Sequence, residues 1–203
     1  HTSHFLEQLN EEFESMRGLV TYAMPESCIH APHFGWLLER RRDHPELLLS
    51  IELKPADAVV ADVLAGEIDF GFVNRDVQHP ALECHPFCAE EYVLACASSR
   101  PAMTAPESLD DLLSLPMIVY PGMVDGLNVW AACHGGESDP VSPLALRTTG
   151  QFNDIRGALA MVAGDLGLTI LPRHVAAAHV SAGAIRIVEG RRGPAAKIGR
   201  AHV

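Results

Sequence analysis

The sequence predicts an α/β fold of two doubly wound, Rossmann-like lobes joined by crossover strands. Three observations carry this. Short apolar runs alternate with helix-period segments from Gly18 onward, an order that calls for parallel strands with right-handed crossovers. The alternation is interrupted by two strand-like runs in succession, Leu82 to Phe87 and Tyr92 to Ala97, and then starts again. A chain of 203 residues is long enough for two small lobes that each bury a core.

Ahead of Gly18, the residues Phe5, Leu9, Phe13 and Met16 lie on one stripe of an amphipathic helix that Arg17-Gly18 ends. Leu19 to Ala23 reads as a strand. Pro32 to Arg42 reads as a helix, with Phe34, Leu37 and Leu38 on one face and Arg40-Arg41-Arg42 at its carboxyl end, where cations suit the dipole. His44-Pro45 breaks the chain before a second strand, Leu47 to Leu53. Ala58 to Ala65 is a helix closed by Gly66, and Ile68 to Val73 a third strand. The second series comprises a helix over Pro106 to Leu113, with Ser108 or Pro106 near its start, and a strand over Met117 to Tyr120. A helix over Gly126 to Cys133 and a loop over 135–140 follow. Leu144 to Thr148 then reads as a strand, Asp154 to Ala163 as a helix and Leu168 to Leu171 as a strand. Pro172 opens a last helix, and Ile185 to Val188 and Ala196 to Val203 supply final strands. The lobes divide as 18–95 with 190–203, and 96–189. Ligands of such sheets sit beyond the carboxyl ends of strands, so the cleft of the clamshell is the expected site.

The formal net charge is −11, from 15 Lys+Arg against 26 Asp+Glu. That balance argues against a chain whose main task is gripping phosphate backbones. No run of about 18 apolar residues marks a membrane span. The amino terminus has no basic stretch followed by an apolar core, and the five cysteines form no disulfide framework, which points to the cytoplasm. Cys84 and Cys88 would lie ~13 Å apart along a strand, too far for one zinc, so no metal and no cofactor is expected. There is no Gly-x-Ser-x-Gly elbow, His-Glu-x-x-His, phosphate loop or dinucleotide fingerprint, hence no catalytic residue to name.

Four segments together resemble the effector-binding half of LysR-type transcriptional regulators. They are Gly18 to Ala23 leading to Ser27; Val63-Leu64-Ala65-Gly66-Glu67-Ile68-Asp69-Phe70-Gly71; Leu109-Asp110-Asp111-Leu112 with Leu115-Pro116-Met117-Ile118; and Ala160 to Pro172, which contains Gly164-Asp165-Leu166-Gly167. The resemblance implies a periplasmic-binding-protein-like fold of type 2 and a small-molecule effector. It also implies pairing into a homodimer or higher homo-oligomer, and DNA contact through a helix-turn-helix module outside this chain. Residues 1–17 then match the end of a linker helix, or a remnant of cloning. Pro25 and Pro32 depart from the family pattern around the first helix, and the family's closing helix has no counterpart after Ala196 to Val203.

The matching loops name the candidate effector contacts. Ser27, after the first strand, is a candidate helix cap beside free backbone N–H groups, and Cys28 adjoins it. Tyr120, Pro121 and Gly122 form a strand-to-helix loop in the second lobe. Phe152 and Asn153 form another, in which Asn153 or Asp154 is the cap candidate. Converging helix N-termini favour an anionic effector, although Asp125 and Asp154 oppose it. Gly164, Gly167, Pro172 and Asp69 carry structure, not ligand. The reading is therefore a non-enzymatic ligand-sensing domain of a LysR-type regulator. A solute-binding transport protein, a cysteine-based redox sensor and a two-lobed enzyme are the alternatives.

Overall fold

The computed structural model describes residues 18–75, 77–133 and 141–188, and the backbone of 195–202. The helix expected over 5–16 and the loop over 135–140 lie outside the described residues. The chain forms two compact units, crossing from the first to the second at Cys88/Ala89 and returning at Lys197/Ile198. The sequence had placed these crossings after 95 and before 190.

In the first unit β1 (Gly18–Met24) is central. It pairs in parallel with β2 (Leu47–Leu53), from Gly18↔Leu47 to Met24↔Leu53, and with β3 (Phe70–Val73) through Tyr22↔Phe70. The crossovers are α1 (Pro32–Asp43) and α2 (Ala56–Ala65). Successive strand side chains point to opposite faces, and β1 shows the consequence. Tyr22 and Met24 cluster with Cys28 and are packed by Phe34 and Leu37 of α1, whereas Ala23 clusters with Val59 of α2, Ile68 and Val73. One helix therefore covers each face. Asp69 ties the turn before β3 to β1, its Oδ2 accepting from the Thr21 amide at 2.7 Å and the Thr21 hydroxyl at 2.9 Å. Lys54 joins Asp62 of α2 (2.6 Å) to Glu52 of β2 (2.5 Å), and those two hydrogen-bonded carboxylates hold its ammonium well above the usual lysine range.

In the second unit β4 (Cys84–Ala97) runs antiparallel to β7 (Thr169–Pro172) and β8 (Ile185–Ile187). β5 (Met117–Val119) is parallel to β6 (Thr148–Gln151) and bridges in parallel to Leu168, just ahead of β7. The helices are α3 (Leu109–Ser114), α4 (Met123–Cys133), α5 (Ile155–Ala163) and α6 (Arg173–Ser181). Leu94, Leu112, Met117, Ile118, Met123, Leu127, Ile155, Leu159 and Leu168 are fully buried, each contributing about 1.5–3 kcal/mol of transfer free energy. The final strand, β9 (Ala195–His202), returns to the first unit and pairs antiparallel with β3.

The α/β class is as expected, and several element boundaries are corrected. Leu82 to Phe87 and Tyr92 to Ala97 are not two strands: β4 runs unbroken through Glu90-Glu91, because Glu90 is buried and Glu91 pairs with Arg173. Leu144 to Thr148 is not a strand. The Ser142 hydroxyl accepts the Leu144 amide and starts a 3-10 turn at Pro143–Ala145, leaving Leu144 96% exposed, and β6 begins only at Thr148. α2 starts at Ala56 and α4 at Met123, both earlier than expected, and β3 starts later, at Phe70. Ser108, not Pro106, caps α3 by accepting the Asp111 amide at 3.1 Å. Pro172 ends β7 and caps α6 instead of opening it. Gly66 sits in the left-handed region at φ 70°, its amide closing α2. A Cβ is costly in that conformation, so Gly66→Ala should lower stability by about 1 kcal/mol, seen as a reduced urea midpoint at unchanged slope.

Candidate functional site

Parallel strands place the loops at their carboxyl ends together. In the first unit the loop after β1 is a 3-10 turn, Glu26–His30, stapled by the Cys28 amide to the Pro25 carbonyl (3.0 Å) and the Ala31 amide to the Cys28 carbonyl (3.1 Å). Ser27 is half-buried within it. It does not cap α1: that position belongs to Ala31, without a side-chain cap, because the intervening turn and Pro32 push the helix start downstream. Cys28 is buried against Tyr22 and Met24 instead of standing at a helix N-terminus. Tyr22 is buried, at 1% exposure, and its hydroxyl has no hydrogen-bond partner among the described residues. Burial, with a smaller contribution from Cys28, pushes its ionisation well above the ordinary phenol range. After β2 the chain enters α2 through Lys54-Pro55, and Arg75, following β3, pairs with Asp57 in the first turn of α2.

In the second unit the loops after β5 and β6 hold the other candidates. Tyr120 is buried, its hydroxyl donating to the Ile170 carbonyl at 3.0 Å, so its ring fastens β5 to β7. Pro121 and Gly122 are exposed beyond it. Phe152 is 42% exposed and its ring lies over Gly157, where a Cβ would come within 2.1 Å of it. Asn153 is exposed, and the cap of α5 is Asp154, whose Oδ1 accepts the Gly157 amide at 2.7 Å.

Sequence reasoning passed over Glu90, Glu91, Tyr92 and Arg173. Tyr92 lies opposite Pro172, the last residue of β7. Antiparallel pairing therefore carries Glu90 past the carboxyl end of β7, at the loop end of its own unit. Glu90 is 7% exposed, and its Oε2 accepts from the Tyr92 hydroxyl at 3.0 Å. The Tyr92 ring rests on Gly126 of α4, and Arg173 pairs with Glu91. Two adjacent glutamates resemble a turn in sequence, and only the strand pairing reveals one of them as buried.

The electrostatics are acidic at these ends. Glu26, Asp57 and Asp125 stand in the first turns after β1, β2 and β5, and Asp154 caps α5. All five cysteines are free. Burial raises the Cys96 thiol against the opposing pull of Arg186 and Arg100. Among the described residues no group of three His, Cys, Asp or Glu side chains is arranged to hold a metal, and no helix is long and apolar enough to cross a membrane.

Residues 14–199 match the model of the LysR substrate binding domain. The chain belongs to this LysR family. It is 26% identical over 148 residues to an HTH-type transcriptional regulator of Bacillus subtilis, YusT, covering 71% of this chain and 45% of that protein. The chain thus spans about half the length of this relative. Its fold is similar to the BenM effector-binding domain with its effector benzoate (TM-score 0.69, 17% identity, 91% of this chain and 82% of that one). It is also similar to the QuiR effector-binding domain in complex with shikimate (TM-score 0.70, 13% identity, 92% and 87%). These likenesses show the periplasmic-binding-protein-like type 2 fold.

The segments that carry the LysR resemblance prove architectural. Gly66 ends α2 and Asp69 binds β1; in the last segment Thr169 is buried, with its hydroxyl on the Ile118 carbonyl at 2.9 Å. Asp165, at φ 60°, is held by Arg100 at 2.6 Å. Because the Asp154 carboxylate accepts the Gly157 amide in the first turn of α5, Asp154→Ala should cost about 1 kcal/mol in thermal or urea unfolding.

Proposed function

We propose that this LysR domain is the sensing part of a longer regulator. It binds a small carboxylate-bearing metabolite and does not transform it. The observation that carries this reading is the family match across 14–199, supported by two similar folds whose ligands, benzoate and shikimate, are both carboxylates. The contacts are Ser27 and Cys28 in one unit, and Tyr120, Pro121, Gly122, Phe152 and Asn153 in the other. Of these, Pro121, Gly122, Phe152 and Asn153 are exposed and Ser27 is half-buried, while the buried Tyr120 also sets the loop's position. The longer protein reaches DNA through an amino-terminal helix-turn-helix module of the kind named in the relative, and works in the cytoplasm. An effector alters DNA affinity only by preferring one conformation of the protein, with a coupling of about 1–3 kcal/mol.

The regulator acts as a homodimer or higher homo-oligomer in this reading. Phe34 and Leu37 of α1 cover their own sheet, but Leu38 of the same helix is 42% exposed and leaves apolar surface there. Such surface favours a protein partner.

Two measurements test these proposals. Thermal shift against small organic acids should raise the unfolding midpoint, by the equivalent of about 2.7 kcal/mol at a hundredfold excess over Kd; conversion of a bound acid to product would overturn the sensing role. Leu38→Glu should move the sedimentation coefficient from dimer to monomer while leaving the far-UV spectrum unchanged.

A further inference from the structure

Glu90 stands apart from every other acidic residue described. It is the one charged side chain buried in the described core, and its single hydrogen bond among the described residues comes from a neutral phenol, Tyr92. The neighbouring cation Arg173 is committed elsewhere, paired with Glu91. A buried carboxylate with one neutral donor is poorly compensated, and a second charged partner or further donors would offset that cost. Oε2 is taken by Tyr92. Oε1 accepts no hydrogen bond among the described residues, and it is absent from the unpartnered polar atoms sealed from solvent.

The position of this oxygen matters as much as its state. Register with β7 puts Glu90 just past Pro172, at the same ends as the Tyr120–Gly122 and Phe152–Asp154 loops of its unit. The Tyr92 ring, seated on Gly126, fixes the carboxyl beside the first turns of α4. That turn carries Asp125, and the α5 cap is Asp154. A ligand group entering here meets negative charge, and the matching group is a nitrogen cation, which supplies both charge and several N–H donors.

We infer that Glu90 is the specificity-determining residue of the effector site, and that it receives a protonated amine on an effector that also carries a carboxylate. The ligand class is thus a small zwitterion of the amino-acid type. This rests on the effector-binding reading above and deepens it. Tyr92 is a positioning residue, holding one oxygen so that the other faces the nitrogen.

The test uses the purified chain and matched sets of ligands: amino acids across the side-chain classes, each with its deaminated acid and its decarboxylated amine (phenylalanine, 3-phenylpropanoate and 2-phenylethylamine are one set). Titration calorimetry should find an amino acid binding at least about tenfold tighter than its deaminated acid. Glu90→Gln keeps the shape and an acceptor for Tyr92 but removes the charge. It should weaken the amino acid about tenfold or more, with less than about twofold change for any nitrogen-free acid that binds. Tighter binding of the nitrogen-free acid, or equal loss for both ligands in Glu90→Gln, would overturn the inference and leave the effector-binding reading standing. If no member of any set binds, the effector-binding reading fails and takes this inference with it. The comparison within each set is made on the wild-type chain, so it decides the matter even where Glu90→Gln does not fold.

Discussion

Parallel pairing is the constraint from which the rest of this structure follows. β1 lies between β2 and β3 and runs with both. Neither connection can be a tight hairpin, so each is a helix, and right-handedness places the helices on opposite faces. The division of β1 into Tyr22 and Met24 toward α1 and Ala23 toward α2 is the same constraint expressed in side chains. In the second unit β5, β6 and Leu168 repeat it. Every loop that can meet a ligand then emerges at one end of its sheet, before any of the residues in those loops is chosen.

What those loops carry is decided by a second, electrostatic factor. Backbone N–H groups at helix starts attract anions, yet here the chain's own carboxylates occupy that role at α5 and stand close to it at α2 and α4. Arg75 balances Asp57, and Arg156 approaches Asp154 at 3.6 Å. Among the described residues Glu90 has no such counterweight. The helix starts that would favour an anion are thus met by acidic side chains of the chain itself.

Architecture was largely legible in the residues, and the site only partly. Gly66, Ser108 and the Leu47–Leu53 strand announce themselves through local chemistry: a left-handed stop, a hydroxyl cap and an apolar run. Boundaries failed where one local signal outweighed a tertiary one. Glu90-Glu91 resembles a break in a strand because the burial of one and the ion pair of the other come from distant elements. Leu144 resembles a strand residue because its hydrophobicity is visible while the Ser142 cap and Pro143 that turn it outward act on the backbone. Ser27 looked like a cap because a hydroxyl near a helix start usually is one, and the inserted 3-10 turn has no strong sequence mark. Glu90 and Tyr92 were invisible for a related reason: register between β4 and β7 cannot be read from either strand alone.

The Tyr120 bond to Ile170 separates two jobs within a single loop. The first residue is bolted into the sheet, while Pro121 and Gly122 bear none of that load. A substitution at Pro121 is therefore absorbed without loosening the scaffold, whereas Gly122, at φ 88°, admits a side chain only with strain, so variation in what the loop presents is channelled to its first exposed residue.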